Sequence, residues 1–175
     1  MLDTAPDKVT DHELRFERLL EAPVATVWQY LVDPELRGRW FMGGTIDQRP
    51  GGEMQLIMAH DNLSDNDVPT PEKYAPYIGK SWTERIVDIQ PPRLLVITWD
   101  NGDSGEVTIE LSDIGERTRL VLTHRGIPDR KGAINFGGGW HSHLAALEKR
   151  LAGEPVPNFW DLHAKAEAEI KQALG

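Results

Sequence analysis

Between Glu13 and Leu20 the apolar residues Leu14, Phe16 and Leu20 fall on alternate positions, with Arg18 breaking the set, and this period of two predicts a strand. Val24, Val27, Trp28 and Leu31 follow at i, i+3, i+4 and i+7, one face of a helix that Pro23 is suited to open. Asp33-Pro34 ends it, and Asp33 is placed to cap a short second helix running through Arg37. From Gly43 the period returns to two. Pro50-Gly51-Gly52 marks a turn, after which Met54, Leu56, Met58 and His60 alternate with Glu53, Gln55, Ile57 and Ala59. Further strands are expected over Trp82–Ile89, Leu94–Trp99, Glu106–Leu111 and Arg117–Arg125, punctuated by Pro91-Pro92, Asp100-Asn101-Gly102 and the turn at Asp113–Glu116. Consecutive hairpins of this kind make an antiparallel meander.

Two helices close the chain. Trp140, Leu144, Leu147 and Leu151 lie on one helical face, and Gly137-Gly138-Gly139 reads as a flexible entry to a helix over Gly139–Leu151. Gly153-Glu154-Pro155 stops it, and Asn158 is placed to cap a last helix, Phe159–Leu174, with Phe159, Leu162, Ala166 and Ile170 on one stripe. A long helix after a run of strands must lay its apolar face on the sheet, because neither buries its face alone. The expected architecture is therefore α+β, a two-layer shell of the kind that encloses a pocket. Residues 1–12 read as a flexible arm, 13–153 as the domain and 154–175 as an additional helix packed on it. Asp61–Gly79, rich in Pro and Asp, is long enough to be a lid or a surface excursion.

Composition narrows the function classes. Nineteen Lys and Arg against 28 Asp and Glu give a net charge of −9, with no basic cluster, which argues against nucleic acid and anionic membranes. The absence of cysteine removes disulfides, thiolate nucleophiles and thiolate metal sites together. No apolar run preceded by positive charge stands at the N-terminus and none reaches spanning length, so the cytoplasm is the expected location.

Several residues carry possible chemistry. Trp40, Phe41, Trp99 and Trp140 together suit an aromatic pocket wall, although any single Trp serves equally as core. His124 shares strand parity with Leu120 and Leu122, so its imidazole should face inward, either as a ligand contact or base or as a hydrogen-bonded core histidine. His60 has the same parity argument through Met54, Leu56 and Met58. His141 and His143 are two apart on a helix and cannot both face one ion, although one of them can line a pocket; no metal site is expected. The three glycines match no phosphate-binding motif, although a carboxylate at a helix start there is conceivable. Glu84 is a buried acid or base if Trp82 and Ile86 face inward, and a surface charge, the favoured reading, if Val87 and Ile89 do. Gly102-Asp103-Ser104-Gly105 is a hairpin turn and not a nucleophile elbow.

Ala22-Pro23-Val24-Ala25-Thr26-Val27-Trp28, Asp33-Pro34-Glu35-Leu36 with Trp40-Phe41, and Pro50-Gly51-Gly52 resemble the opening of a known family. Ile89-Gln90-Pro91-Pro92-Arg93-Leu94-Leu95-Val96-Ile97-Thr98-Trp99, Thr118–His124 and Gly139-Trp140 with Leu144, Leu147 and Leu151 continue the likeness. The order of a strand, two helices, a six-strand meander and a long helix resembles the helix-grip fold of the Bet v 1 and START-like (SRPBCC) superfamily. Within it the chain is similar to the bacterial branch homologous to the C-terminal domain of the activator of heat-shock-protein-90 ATPase. The resemblance implies about seven antiparallel strands curved around the long helix, two short helices after the first strand and a hydrophobic cavity between sheet and helix. It supplies no shared catalytic motif. The Asp61–Gly79 segment and the final helix depart from the family pattern and can reshape the cavity mouth, so ligand identity does not carry over.

The leading expectation is non-catalytic binding of a small hydrophobic or amphipathic molecule, with Trp40, Phe41, Met54, Leu56, Met58, Trp82, Trp99, His124, Trp140 and Leu144 as the ligand-binding set. No cofactor is expected, and the chain is expected to be a monomer or weak homodimer. An enzyme of cyclase or aromatase type would use His124 or Glu84 in the cavity. A co-chaperone-like module would need an exposed patch for a partner protein.

Overall fold

The computed structural model describes residues 2–175. Seven antiparallel strands form one sheet in the order β1-β2-β7-β6-β5-β4-β3. They are β1 (Lys8–Val9), β2 (Glu13–Leu20), β3 (Glu53–Ile57), β4 (Ser81–Gln90), β5 (Leu94–Thr98), β6 (Glu106–Ile114) and β7 (Arg117–Arg125). The helices are α1 (Val24–Val32), α2 (Pro34–Arg37), α3 (Arg130–Ala152) and α4 (Phe159–Leu174). Among the described residues no helix is long and apolar enough to cross a membrane.

The expected caps form. The Asp33 carboxylate accepts from the N–H groups of Glu35 and Leu36, and the Asn158 side chain from those of Trp160 and Asp161. The sheet's concave side buries Leu14, Phe16, Ile86, Ile97, Val107, Leu120 and Leu122 against Leu144 and Leu147 of α3. Arg18 also points inward. It is 2% exposed, it ion-pairs with Glu148 of α3 at 2.9 Å, and its Nη2 donates to His141 Nδ1 at 2.9 Å. His141 in turn donates through Nε2 to Glu169 of α4. One imidazole thus ties β2 to both C-terminal helices.

Three sequence expectations change. The meander contributes five strands, because residues 43–46 make only two isolated bridges to β3, and the seventh strand is Lys8–Val9. The segment expected as a loose arm is tied down over its described part: Leu2 donates to Glu169 at 2.7 Å, and the Asp7 N–H donates to the Arg15 carbonyl at 3.0 Å. Most consequentially, α3 begins nine residues before Gly139, capped by Asp129, whose side chain accepts from Gly132 N–H at 2.8 Å. The glycine triplet lies inside the helix, which removes the proposed anion site at a helix start.

Packing explains two of these glycines. A Cβ on Gly137 would lie 2.9 Å from Ile170 Cγ2, and one on Gly138 would lie 3.3 Å from the Glu167 backbone. Their missing side chains let α4 lie directly on α3. Gly137→Val should therefore push the helices apart and cost about 2 kcal/mol. Thermal unfolding measures this, and an unchanged midpoint would show that α4 does not rest on Gly137.

Candidate functional site

A cavity of about 580 Å³ opens where α3 and α4 meet one end of the sheet. Asn135, Gly139 and His143 present one stripe of α3 to it at i, i+4 and i+8, flanked by Phe136 and Trp140. Phe41 and Met42, after α2, form one wall, and Met58, Trp82, Trp99 and Asp100 supply the sheet edge. Lys73, Tyr74 and Tyr77 close it from the long loop, and Trp160 and His163 come from α4. The aromatic rings are in mutual contact: Phe41–Trp140 and Trp99–Trp140 centroids are both 5.1 Å apart, and Tyr74 stacks on Trp160 at 5.0 Å.

The loop is anchored at both ends. Leu63 is fully buried, Asp65 accepts from Arg150 at 2.7 Å and from Val156 N–H at 2.6 Å, and Gly79 N–H donates to the Met58 carbonyl at 2.7 Å. Between these anchors the chain is largely exposed, with Tyr74 turned in.

The polar end of the cavity is built from histidines. His143 Nδ1 lies 2.7 Å from the Trp40 carbonyl, which can only accept, so that nitrogen carries the proton. In the neutral ring His143 Nε2 must then accept from His60 Nε2, 3.1 Å away. His60 Nδ1 is thereby left as a bare lone pair, buried and without a partner. Trp160 Nε1, also buried, is a donor without a partner. Burial pushes the His60 imidazole down to about 4, helped by nearby His163, and holds His143 well below the usual histidine range. His163 is lowered too, chiefly by burial. The cluster is uncharged at neutral pH. Among the described residues no group of three or more His, Cys, Asp or Glu side chains is arranged to hold a metal ion.

Of the ten residues expected to bind ligand, the structure brings Phe41, Met58, Trp82, Trp99 and Trp140 to the cavity. The other five stand behind it. Trp40 is 1% exposed and donates through Nε1 to the Tyr30 carbonyl at 2.8 Å. Met54, Leu56 and Leu144 belong to the packed core. His124 accepts from Trp140 Nε1 at 3.1 Å and donates from Nε2 to the Ser104 carbonyl at 2.8 Å. Both its nitrogens are engaged, so it orients the Trp140 indole and has no free lone pair for a base.

Glu84 corrects the favoured surface reading. It is 1% exposed, and its carboxylate accepts from Thr98 Oγ1 at 2.8 Å and from Trp82 Nε1, Asp100 N–H and Asn101 N–H at 3.0 Å each. Asp100 and Asn101 have φ of 49° and 55°, and Glu84 holds that left-handed pair at the cavity edge. A β-bulge between Ile86 and Asp88 explains the conflicting parity: Glu84 and Ile86 face inward before it, and Ile89 after it.

Sequence reasoning left out of the binding set Met42, His60, Lys73, Tyr74, Tyr77, Asp100, Asn135, Phe136, Gly139, His143, Trp160 and His163. The signal for Asn135, Gly139 and His143 was their spacing of four, hidden once the glycines were taken to precede the helix. Tyr74 and the α4 residues carried no local signal.

Comparison with known proteins bears on the fold and the family. No curated protein matches the chain significantly. A Bordetella parapertussis protein solved in solution is 38% identical, with a TM-score of 0.82 over 99% of this chain and 92% of its own. CalU16 from Micromonospora echinospora, at 24% identity and a TM-score of 0.65 over 92% and 87% of the two chains, shares the fold. So does a conserved Enterococcus faecalis protein of unknown function, at 17% and 0.63 over 93% and 86%. The family model described as activator of Hsp90 ATPase homolog 1-like protein matches residues 21–152, and the chain belongs to that family.

Proposed function

We propose that the protein binds one small, largely apolar molecule in the cavity between α3, α4 and the long loop, without transforming it. The observation that carries this reading is Gly139. Glycine inside a helix is about 1 kcal/mol worse than alanine. Contact with α4 accounts for Gly137 and Gly138, but a Cβ on Gly139 would meet nothing within 4 Å. Gly139 lines the cavity. A chain selected only for stability would place a side chain there; keeping the space open favours a guest. Affinity would come from burying apolar surface against the aromatic wall, at about 25 cal/mol per Å². The two groups suited to catalysis by sequence, His124 and Glu84, spend their hydrogen-bonding capacity on the fold.

Titration with 2-methoxynaphthalene, a neutral two-ring probe, should change tryptophan fluorescence saturably with one site, because Trp99, Trp140 and Trp160 line the cavity. A response that stays linear up to the solubility limit of the probe would contradict the reading.

A further inference from the structure

We infer that the ligand carries a hydroxyl on an uncharged aromatic frame, the hydroxyl donating to His60 Nδ1 and accepting from Trp160 Nε1. This rests on the pocket reading above and adds the chemical class of the guest. His60 is 6% exposed and Trp160 is 8% exposed, both line the cavity, and each keeps one buried nitrogen without a partner. Buried polar atoms are almost always paired, so two orphans of opposite sense in one cavity ask for a group that does both. A hydroxyl is the smallest such group.

The hydrogen-bond chain fixes the sense of each partner. The Trp40 carbonyl sets His143, His143 sets His60, and the indole N–H can only donate. A carboxylate would meet a lone pair at His60, and an ammonium would meet the indole N–H at Trp160. The charged lining groups, Lys73 and Asp100, are exposed at the rim. An ion at the histidine end would stay unpaired in an apolar site, at a cost a neutral group avoids. Both orphan nitrogens are closed to solvent in this conformation, and Tyr74 covers the Trp160 indole at 5.0 Å. The hydroxyl therefore enters as that ring moves aside.

Three probes of equal frame separate the two contacts by calorimetry at about neutral pH: 2-naphthol, 2-methoxynaphthalene and naphthalene. The first donates and accepts, the second only accepts, and the third does neither. We expect 2-naphthol to bind about tenfold more tightly than its methyl ether, and the ether more tightly than naphthalene. His60→Phe should abolish the first difference and Trp160→Phe the second. If His60→Phe does not fold, Trp160→Phe still decides. Equal binding of all three probes, or a 2-naphthol preference that survives in His60→Phe, overturns the hydroxyl inference and leaves the pocket standing. Binding of none of the three would instead overturn the pocket reading itself.

Discussion

Acidification from about pH 7 to about pH 5 should remove several kcal/mol of folding stability, before the bulk of the carboxylates titrate. Five histidines, His60, His124, His141, His143 and His163, are held below the usual range of 6.5, in each case chiefly by burial. The unfolded chain takes up protons near pH 6.5, whereas the folded chain refuses them until far lower. The unfolded state therefore binds more protons in this window, and stability falls as pH falls. The contribution is fully present above about 6.5 and is lost progressively down to the folded values. The drop from 6.5 to about 4 at His60 alone corresponds to about 3 kcal/mol. Glu148, raised by burial, works against the trend by taking its proton more readily in the folded state. Urea unfolding at a series of pH values gives the slope, which should flatten in His60→Phe. A profile level between pH 7 and about 5 would show that the buried imidazoles find protons in the folded state.

Arg18→Leu should cost about 3 kcal/mol, since it strands the partners of a buried cation. Arg18 Nη1 donates to the Glu17 carbonyl at 2.8 Å, Nη2 to His141, and the guanidinium faces Glu148. Without it, Glu148 loses its counter-ion and His141 loses the donor that sets its tautomer against Glu169. The double change Arg18→Leu with Glu148→Leu should recover part of the loss, because an apolar pair leaves no orphaned charge. Urea unfolding of both variants decides; a single-variant loss below about 0.5 kcal/mol would mean that the pair behaves as an exposed one.

Local signals in the chain announced most of the fold. Alternation at Leu14, Phe16 and Leu20, the Asp33 and Asn158 caps and the Asp100-Asn101-Gly102 turn each act within a few residues, and all appear where expected. The failures are of another kind. Gly137 and Gly138 read as helix breakers because the residues that justify them, Ile170 and Glu167, lie some thirty positions away. Glu84 could not be placed because the bulge after Ile86 reverses parity within one strand.

The cavity was harder to read for the same reason. Its aromatic half, Phe41, Trp82, Trp99 and Trp140, announces itself by residue type. Its polar end joins His60 from a turn after β3, His143 from α3 and Trp160 from α4, and only the tertiary fold makes them neighbours. Strand parity suggested that His60 faces inward, but not that its imidazole would meet His143 and keep one buried nitrogen without a partner.

The most direct test of the account is the variant Gly139→Leu, studied by calorimetry together with 2-methoxynaphthalene titration. If the helix gives up stability to keep a binding space, leucine should enter that space, add helix propensity of about 1 kcal/mol and leave the unfolding midpoint unchanged or raised. The same substitution should weaken probe binding by at least about tenfold. A leucine variant that is stable and still binds the probe with unchanged affinity would place the guest elsewhere and contradict the account.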